Sequence, residues 1–248
     1  MKTLFISDLD GTLLNSNAEI SENTALIINS LIKKGLHFTV ATARSERTAI
    51  PMTSCLDINV PRVLMNGVII YSEGYIKYHT IPEKNASEIS ALFKKHNIKG
   101  SIFEIKDNKL NVRENTDINI NYADNPIYIT SNNKYDILLP LERDISKLEN
   151  ISHTFYEDTY TGKWFLEIFS DKATKANGIK FLREKYGFDK IVCFGDNLND
   201  ISMFNESDVR VAVANAKPEI KKLADFVTLS NDEDGVAVWL GEHYKEFI

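Results

Sequence analysis

Cysteine is scarce in this sequence: Cys55 and Cys193 are the only two among 248 residues. Two cysteines are too few for the disulfide framework that stabilises many small secreted domains. Both lie in apolar stretches, where a free cysteine usually packs as a small hydrophobic side chain. We therefore predict two buried free thiols and a cytoplasmic protein in a reducing environment.

Long apolar runs are also missing. No uninterrupted apolar stretch reaches the roughly 18 residues that a membrane-spanning helix needs. The N-terminus has a single lysine before a short apolar run, so no signal peptide is predicted. The sequence therefore predicts no membrane partner.

Positive charge is in deficit, with 29 lysines and arginines against 35 aspartates and glutamates and a formal net charge of −6. This balance argues against a nucleic-acid binder, which usually presents a basic face. An anionic substrate stays compatible, because a bound cation and one lysine can reverse the local field. At 248 residues the chain exceeds the usual domain size of about 100–150 residues, so one large or two modest domains are expected.

The most informative stretch is N-terminal, where an apolar run leads into two aspartates and a glycine. We predict a buried strand over Thr3–Ser7, with Asp8 and Asp10 beyond its C-terminal end and Gly11 at the turn. Residues two apart on a strand point to the same side, so Asp8 and Asp10 are expected to face one pocket. Ligands of parallel α/β sheets bind at this end of the strands. Two carboxylates there can hold a divalent cation, or divide the work of nucleophile and acid–base group.

Two other interpretations of this stretch compete. An Asp-x-Asp-Gly sequence is often a turn with solvated acids, and acids before a glycine also occur in the EF-hand calcium loop. Aligning Gly11 with the invariant glycine of that loop puts Ile6 first and Asn17 last, where carboxylates are needed. The EF-hand is therefore excluded, whereas the solvated turn has to be weighed against the rest of the chain.

A strand–helix–strand unit follows the N-terminal stretch. Ser21 is a suitable N-cap for a helix that runs to about Lys34, and Leu36–Ala41 is a short buried strand. This order implies parallel pairing. The next segment, 42–45 (Thr-Ala-Arg-Ser), combines a hydroxyl with backbone N–H groups at a strand end. Such a segment can cradle a phosphate, although a helix-capping threonine is the preferred explanation of this fragment alone.

A second polar motif lies near the other end of the chain. The apolar run 190–194 ends in the segment 195–200 (Gly-Asp-Asn-Leu-Asn-Asp), which leads into a helix. Before it, Lys175 lies near the start of a helix that runs to about Tyr186 and ends at Gly187. On this evidence alone, a polar loop and a solvated lysine explain both features.

Taken together, these motifs resemble those of the haloacid dehalogenase (HAD) superfamily. The string 8–12 (Asp-Leu-Asp-Gly-Thr) resembles the first motif, Thr42 the second, Lys175 the third, and 195–200 the fourth. The resemblance covers essentially the whole chain. Asn66-Gly67 followed by a predicted hairpin resembles the Cof-like branch, subfamily IIB. The fold that this implies is α/β, a Rossmann-like parallel-sheet core with an inserted α/β cap domain.

The resemblance assigns roles to three aspartates. Asp8 is expected to attack phosphorus and form an aspartyl-phosphate, and Asp10 to act as general acid and then general base. A Mg²⁺ cofactor is expected to bind through Asp8, the backbone carbonyl of Asp10, and Asp196. Octahedral oxygen coordination of this kind is what Mg²⁺ prefers.

It also assigns the residues that bind the phosphate. These are Thr42, the Ala43 N–H, Lys175 and Asn199, while Asp200 is expected to support Lys175 or the metal. Ala43 stands where the Cof-like branch commonly has glycine, so the N–H donor survives but the closest backbone approach is in doubt. Lys175 is preferred over Lys172 for the third motif.

The domain boundaries follow from a change in pattern at about residue 80. The core is expected over 1–79 and 169–248, and the cap, which closes over the substrate in the resembled family, over 80–168. The cap is predicted to hold helices at Glu83–His96 and Leu141–Leu148, strands at Gly100–Ile105, Leu110–Arg113, Tyr135–Leu139 and Trp164–Phe169, and loops at Asn115–Asn125 and Ser131–Lys134. Its candidate substrate contacts, for which structural roles are preferred, are Asn111, Arg113 and Trp164.

The function predicted is Mg²⁺-dependent hydrolysis of small phosphomonoesters, such as sugar, polyol, flavin or pyridoxal phosphates, by a monomer. Two alternatives stay open. One is a phosphomannomutase-like phosphotransferase, and the other is a non-catalytic Mg²⁺-dependent binding protein. The intact set of Asp8, Asp10, Lys175 and Asp196 argues against the second, because the loss of any one would disable the chemistry.

Overall fold

The chain forms two compact units. The computed structural model describes residues 1–157 and 162–247, with the backbone alone at Ala123. Unit 1 consists of Met1–Ile76 and Thr174–Ile248, and unit 2 of Lys77–Ala173. The boundaries predicted from the sequence, 79/80 and 168/169, differ from these by three and five residues. That unit 1 is the catalytic core and unit 2 the cap stays a prediction.

The structure contains the following elements. The strands are β1 Thr3–Ser7, β2 His37–Val40, β3 Arg62–Leu64, β4 Ile69–Tyr71, β5 Tyr75–Tyr78, β6 Lys99–Lys106, β7 Lys109–Asp117, β8 Pro126–Asn133, β9 Ile151–Glu157, β10 Trp164–Ser170, β11 Lys190–Gly195, β12 Val209–Ala212 and β13 Phe226–Val227. The α-helices are α1 Glu22–Lys33, α2 Glu46–Met52, α3 Glu83–His96, α4 Tyr135–Ile145, α5 Lys175–Tyr186, α6 Ile201–Glu206, α7 Pro218–Leu223 and α8 Gly235–His243. None of the helices in the described parts of the chain is long and apolar enough to cross a membrane.

Unit 1 is built on a parallel five-stranded sheet in the order β13-β12-β11-β1-β2. β1 lies inside this sheet, and all five of its residues are buried. Strands covered on both faces are typical of parallel α/β sheets. The predicted fold class, a parallel-sheet core with an α/β insertion, is confirmed.

The helix ends of unit 1 follow their sequence signals. The Ser21 side chain accepts a hydrogen bond from the backbone N–H of Thr24 and caps α1. α5 ends at Gly187, which adopts a left-handed conformation with φ of 66°. Both ends were predicted from these residues.

Unit 2 is an antiparallel five-stranded sheet in the order β7-β6-β8-β10-β9, packed with α3 and α4. Its strands and helices share one hydrophobic core, formed by Ile81, Ile89, Phe93, Ile98, Ile102, Ile118, Ile129, Leu138, Leu141, Ile145, Leu166 and Ile168. Unit 2 therefore has its own core, as an inserted domain requires.

The secondary structure predicted from the sequence is wrong for three segments of unit 2. Tyr135–Leu139, predicted as a strand, is the first half of α4, which continues through Pro140. Leu138, Leu141 and Ile145 are buried on one face of this helix, so tertiary packing tolerates a proline that normally interrupts the hydrogen bonding of a helix.

The other two corrections concern strands that were taken for loops. β8 includes Ser131 and Asn133, although 131–134 was predicted as a loop. β7 continues to Asp117, into the predicted loop 115–125. β9 was not predicted at all, because its half-buried residues give no clear alternation. Pairing with neighbouring strands fixes these polar segments.

The prediction of two buried thiols is half correct. Cys193 lies buried in β11, where burial raises the pKa of its thiol well above the ordinary value. Cys55 is exposed, which contradicts the prediction. The segment after α2 buries the neighbouring Leu56 instead of Cys55.

The three candidate substrate contacts of unit 2 have structural partners. Arg113 donates hydrogen bonds to the buried Glu104, to which Asn111 also donates at 3.3 Å. Trp164 packs against Phe155, with ring centroids 4.7 Å apart. These contacts favour the structural roles.

Candidate active site

The site begins where two adjacent parallel strands end. β1 pairs with β11 so that Ser7 lies opposite Phe194, and the Asp8 N–H donates to the Phe194 carbonyl at 3.0 Å. Asp8 and Asp196 therefore leave the sheet side by side, although 188 positions separate them in the sequence. This is the edge at which parallel α/β proteins bind ligands.

Three carboxylates and one lysine meet at this edge. Asp8, Asp196 and Asp200 each offer an oxygen, and these oxygens lie within 4.8 Å of one another. The Lys175 Nζ is 2.5 Å from Asp8 Oδ1 and 2.8 Å from Asp200 Oδ1. Asp8, Asp200 and Lys175 are buried, and Asp196 is half-buried. Lys172, by contrast, is exposed, which favours Lys175 as the third-motif lysine, and this assignment stays a prediction.

The charges of this cluster do not balance, because three carboxylates face a single ammonium group. Burial raises the pKa of Asp8 above the ordinary aspartate range, against the opposing charge of Lys175. Burial also raises the pKa of Asp196, to about 6, and the charge of Asp200 adds to this. Burial works against the charged form of Lys175, but Asp8 and Asp200 outweigh it, so its pKa lies above the usual lysine value. A further cation would relieve this excess of negative charge.

The donor set fits a hard divalent cation. All three acidic groups offer carboxylate oxygens, the ligands that Mg²⁺ and Ca²⁺ prefer. Gly11, with φ of 75°, approaches Asp196 so closely that a Cβ would lie 2.6 Å from Oδ2. The Thr12 hydroxyl donates to Asp196 Oδ1 at 3.0 Å. Gly11 and Thr12 thus restrict the position of the Asp196 carboxylate. The cluster can hold a metal ion.

Asp200 contacts both Lys175 and the turn that carries Asp196. Its Oδ1 accepts from Lys175, and its Oδ2 accepts from the backbone N–H groups of Asp196 and Asn197 at 3.0 and 3.1 Å. It therefore closes the turn after β11 while it orients the lysine, the supporting role expected for it.

Thr42 and Ala43 lie at the end of β2. Thr42 is buried, its N–H donates to Val63, and its Oγ1 accepts from the Arg44 N–H at 3.1 Å. Ala43 is exposed. Asn199, on the turn after β11, is also exposed. All three residues thus lie shortly after strand ends of unit 1, and their role in phosphate binding stays a prediction.

Asp10 takes a different environment from the one expected. Its side chain is 51% exposed and forms an ion pair with Arg44, whereas the acidic cluster is formed by Asp8, Asp196 and Asp200. The strand ends at Ser7, so the strict alternation of a strand does not extend to Asp10. Sequence reasoning gave Arg44, two residues after Thr42, no role, and no local pattern signals its pairing with Asp10.

A left-handed turn after β3 contacts both Thr42 and the residue before Lys175. Met65, Asn66 and Gly67 have φ of 50°, 55° and 97°. The Asn66 N–H donates to the Thr42 carbonyl at 2.9 Å, and a Cβ on Gly67 would lie 2.1 Å from the Thr174 carbonyl oxygen. The turn thus lies against both Thr42 and the residue before Lys175.

Fold and site together define an α/β enzyme with a carboxylate-rich centre at the ends of its parallel strands. A family model for haloacid dehalogenase-like hydrolases matches residues 5–240. The chain therefore belongs to the haloacid dehalogenase-like hydrolases, in their Cof-like branch, and is a HAD-like phosphatase.

Individual relatives agree with this family. A putative phosphatase of Haemophilus influenzae is 30% identical, and the match covers 97% of each chain. A 5-amino-6-(5-phospho-D-ribitylamino)uracil phosphatase of Bacillus subtilis is 26% identical over 98% of this chain and 97% of its own. Among solved structures, TM0651 from Thermotoga maritima is 29% identical, with a TM-score of 0.80, and the match covers 98% of this chain and 97% of that one. The HAD subclass IIB sugar phosphatase BT4131, 22% identical over 99% of each chain, shares the fold with a TM-score of 0.71.

Proposed function

We propose that this protein hydrolyses small phosphomonoesters, in a Mg²⁺-dependent reaction that passes through an aspartyl-phosphate on Asp8. The observation that supports this most is the buried contact between Asp8 and Lys175, beside Asp196 and Asp200. A buried carboxylate with a fixed cationic partner and a site for a metal ion is suited to attack on an anionic phosphate. Hydrolysis of a phosphomonoester is among the slowest uncatalysed reactions, so such a site has to lower the barrier by on the order of 20 kcal/mol.

The reaction divides into two displacements. In the first, an Asp8 oxygen forms a bond to phosphorus, the ester P–O bond breaks, and Asp10 gives its proton to the departing alkoxide. In the second, Asp10 accepts a proton from water, the water oxygen attacks phosphorus, and the bond to Asp8 breaks. Inorganic phosphate and free Asp8 result. A covalent intermediate replaces one difficult step by two easier ones.

The remaining residues are proposed to bind the phosphoryl oxygens and the metal ion. Lys175, the Thr42 hydroxyl, the Ala43 N–H and Asn199 are proposed to bind the phosphoryl oxygens, whose charge grows in the transition state. Asp8, Asp196 and the Asp10 carbonyl are proposed to hold Mg²⁺. When bound, Mg²⁺ would offset the repulsion between the phosphate and the Asp8 carboxylate.

The substrate class proposed is a phosphorylated metabolite such as a sugar or polyol phosphate, with unit 2 as the cap that selects the leaving group. Three Bacillus subtilis relatives at 26–27% identity are named as phosphatases of 5-amino-6-(5-phospho-D-ribitylamino)uracil. That compound is the phosphate ester of a polyol, so it belongs in a substrate panel beside sugar phosphates and p-nitrophenyl phosphate.

The test is phosphate release from this panel with Mg²⁺ and with EDTA, by the parent protein and Asp8→Asn. We expect Mg²⁺-dependent turnover that falls at least about 10³-fold in the variant, because the amide is not a competent nucleophile. Mass spectrometry of the acid-quenched parent should find a phosphoryl group on the peptide that contains Asp8. Asp57→Asn, an exposed acid of unit 1, is the matched control and should keep parent activity.

Two results would contradict the proposal. Parent-level turnover in Asp8→Asn would exclude Asp8 as the nucleophile. Phosphate transfer to an added sugar phosphate, with no release to water, would identify a phosphotransferase instead.

A further inference from the structure

Asp10 and Arg44 form a two-point ion pair. The Arg44 Nε donates to Asp10 Oδ2 at 2.8 Å, and its Nη2 donates to Oδ1 at 2.6 Å. Both carboxylate oxygens are therefore engaged by one planar guanidinium group. This geometry fixes the direction and the plane of the carboxylate, which a single hydrogen bond does not.

The Arg44 backbone is itself fixed on both sides. Its N–H donates to Thr42 Oγ1 at 3.1 Å, and its carbonyl accepts from the Met65 N–H at 3.0 Å. The arginine thus connects the segment after β2 and the turn after β3 with the segment after β1, which carries Asp10. The position of the Asp10 carboxylate depends on these neighbouring segments through Arg44.

Stability is a weak explanation for this pair. The side chains of Arg44 and Asp10 are 27% and 51% exposed. Ion pairs with this much solvent contact are screened and contribute little to the free energy of unfolding. A two-point geometry at the edge of the site has more effect on the orientation of Asp10 than on folding.

We propose that Arg44 is a positioning residue for Asp10, which holds the acid–base carboxylate in the orientation that proton transfer to the leaving group requires. This inference rests on the proposed function, in which Asp10 donates that proton. Arg44 transfers no proton itself. The two-point contact is that of the ionised carboxylate; when Asp10 carries the proton for the leaving group on one oxygen, its other oxygen still accepts from Arg44. Misplacement of a reacting group by about 1 Å can lower a rate about 100-fold, so loss of the guanidinium should affect the protonation step selectively.

Leaving groups of different basicity separate this role from others. p-Nitrophenolate leaves without a proton, whereas the alkoxide of glycerol 2-phosphate needs one. The measurement is kcat/KM for both esters in the Mg²⁺-loaded parent, Arg44→Ala, Arg44→Lys and Asp10→Asn. We expect Arg44→Ala to lower the ratio of the glycerol ester to the nitrophenyl ester at least about 10-fold. Asp10→Asn should lower this ratio further, and Arg44→Lys should restore it only in part, because lysine lacks the planar fork.

Two further variants complete the design. Arg47→Ala removes the same charge from an exposed position three residues away and should leave the ratio unchanged. The double variant Arg44→Ala with Asp10→Asn should match Asp10→Asn alone, because a positioning residue has no effect once its target is removed.

The outcomes are distinguishable. Equal losses for both esters in Arg44→Ala, with weaker inhibition by inorganic phosphate, would make Arg44 a phosphate ligand and overturn the proposal. A rise in the ratio would show that Arg44 hinders Asp10, which also overturns it. Full activity of Asp8→Asn on both esters would instead contradict the proposed function itself.

Discussion

Asp144 connects the C-terminal ends of α3 and α4 in unit 2. Its carboxylate lies 2.8 Å from the Lys95 Nζ, 2.9 Å from the Lys147 Nζ and 2.9 Å from the His96 Nε2. Hydrogen bonds from Lys95 first, then from Lys147 and His96, lower the pKa of Asp144 well below its ordinary value. The folded state therefore favours the ionised carboxylate.

This lowered pKa predicts a pH-dependent effect of Asp144→Asn. The stabilisation is present above the pKa of an unfolded aspartate, about 3.9, and is lost as the pH falls toward the lower folded value. We expect the variant to melt at a lower temperature than the parent at pH 7, and the gap to narrow below about pH 4. Thermal unfolding of both proteins across this pH range is the measurement.

Asp107→Asn is the control for this effect. Asp107 is exposed in the β6–β7 turn and has no ion-pair partner among residues 1–157 and 162–247. Its substitution should leave the melting temperature nearly unchanged at every pH. A gap for Asp144→Asn that stays constant from pH 7 to pH 3 would show that charge is not the cause.

In the candidate active site, Asp8 stood out in the sequence because a carboxylate follows a wholly buried strand. Lys175 was singled out only by the resemblance to the third motif, since a lysine near a helix start is usually solvated. Arg44 did not stand out, because an arginine near a helix start is ordinary and only the folded chain brings it to Asp10. Roles that depend on a distant partner are not visible in a local pattern.

At the scale of elements, the turn Met65–Gly67 carries a sharp prediction. In Gly67→Ala, the Cβ would lie 2.1 Å from the Thr174 carbonyl oxygen, in a backbone with φ of 97°. Either the turn or the start of α5 has to move, and α5 begins with Lys175. We expect a loss of stability beyond the roughly 1–2 kcal/mol of a left-handed alanine, together with a kcat at least about 10-fold lower. Denaturant unfolding and steady-state kinetics measure both.

Gly35→Ala is a control that has the backbone strain of a left-handed alanine without a steric contact like the one between Gly67→Ala and Thr174. Gly35 has a similar φ of 101°, but a Cβ there would meet no atom within 4 Å. This control should lose only the stability attributable to the left-handed conformation and keep parent kcat. Equal kcat in the two variants would show that the turn does not position Lys175.

Elements were predicted well where local signals agree with packing. Glu83–His96 was predicted with the bounds that α3 has, since its apolar spacing and its end at a left-handed Asn97 agree. The segment of α4 was predicted as a strand at Tyr135–Leu139 and a helix at Leu141–Leu148, whereas one helix with a continuous buried face runs through Pro140. The packing of this helix in unit 2 therefore outweighs the hydrogen bond that the proline removes.

At the scale of the whole molecule, the acidic cluster belongs to unit 1 alone. Asp8, Asp196 and Asp200 all lie in the segments that form this unit, whereas unit 2 has a separate core. We therefore expect Mg²⁺ to stabilise unit 1 against heat, by about 2.7 kcal/mol at 100 times its dissociation constant. EDTA should reverse this. Calorimetry with increasing Mg²⁺ is the measurement.

Asp196→Asn tests whether the stabilisation comes from this cluster. It should remove most of the Mg²⁺ effect, whereas Glu219→Gln, which neutralises an exposed acid of α7 in the same unit, should keep it. An equal Mg²⁺ response in both variants would locate the ion elsewhere.

The sequence by itself determined the parallel core, because buried strands, helix caps and polar strand ends are local patterns set by backbone geometry and hydrophobic burial. It also determined the family, because the motifs are short stretches of sequence that can be recognised without the structure. Only the tertiary structure decided the environment of each acid. Asp8 is buried and forms an ion pair with Lys175, whereas Asp10 is half-exposed and forms an ion pair with Arg44, although the two aspartates are two residues apart. Charge and burial act through space, so the partners that set them come from segments that the sequence holds far apart.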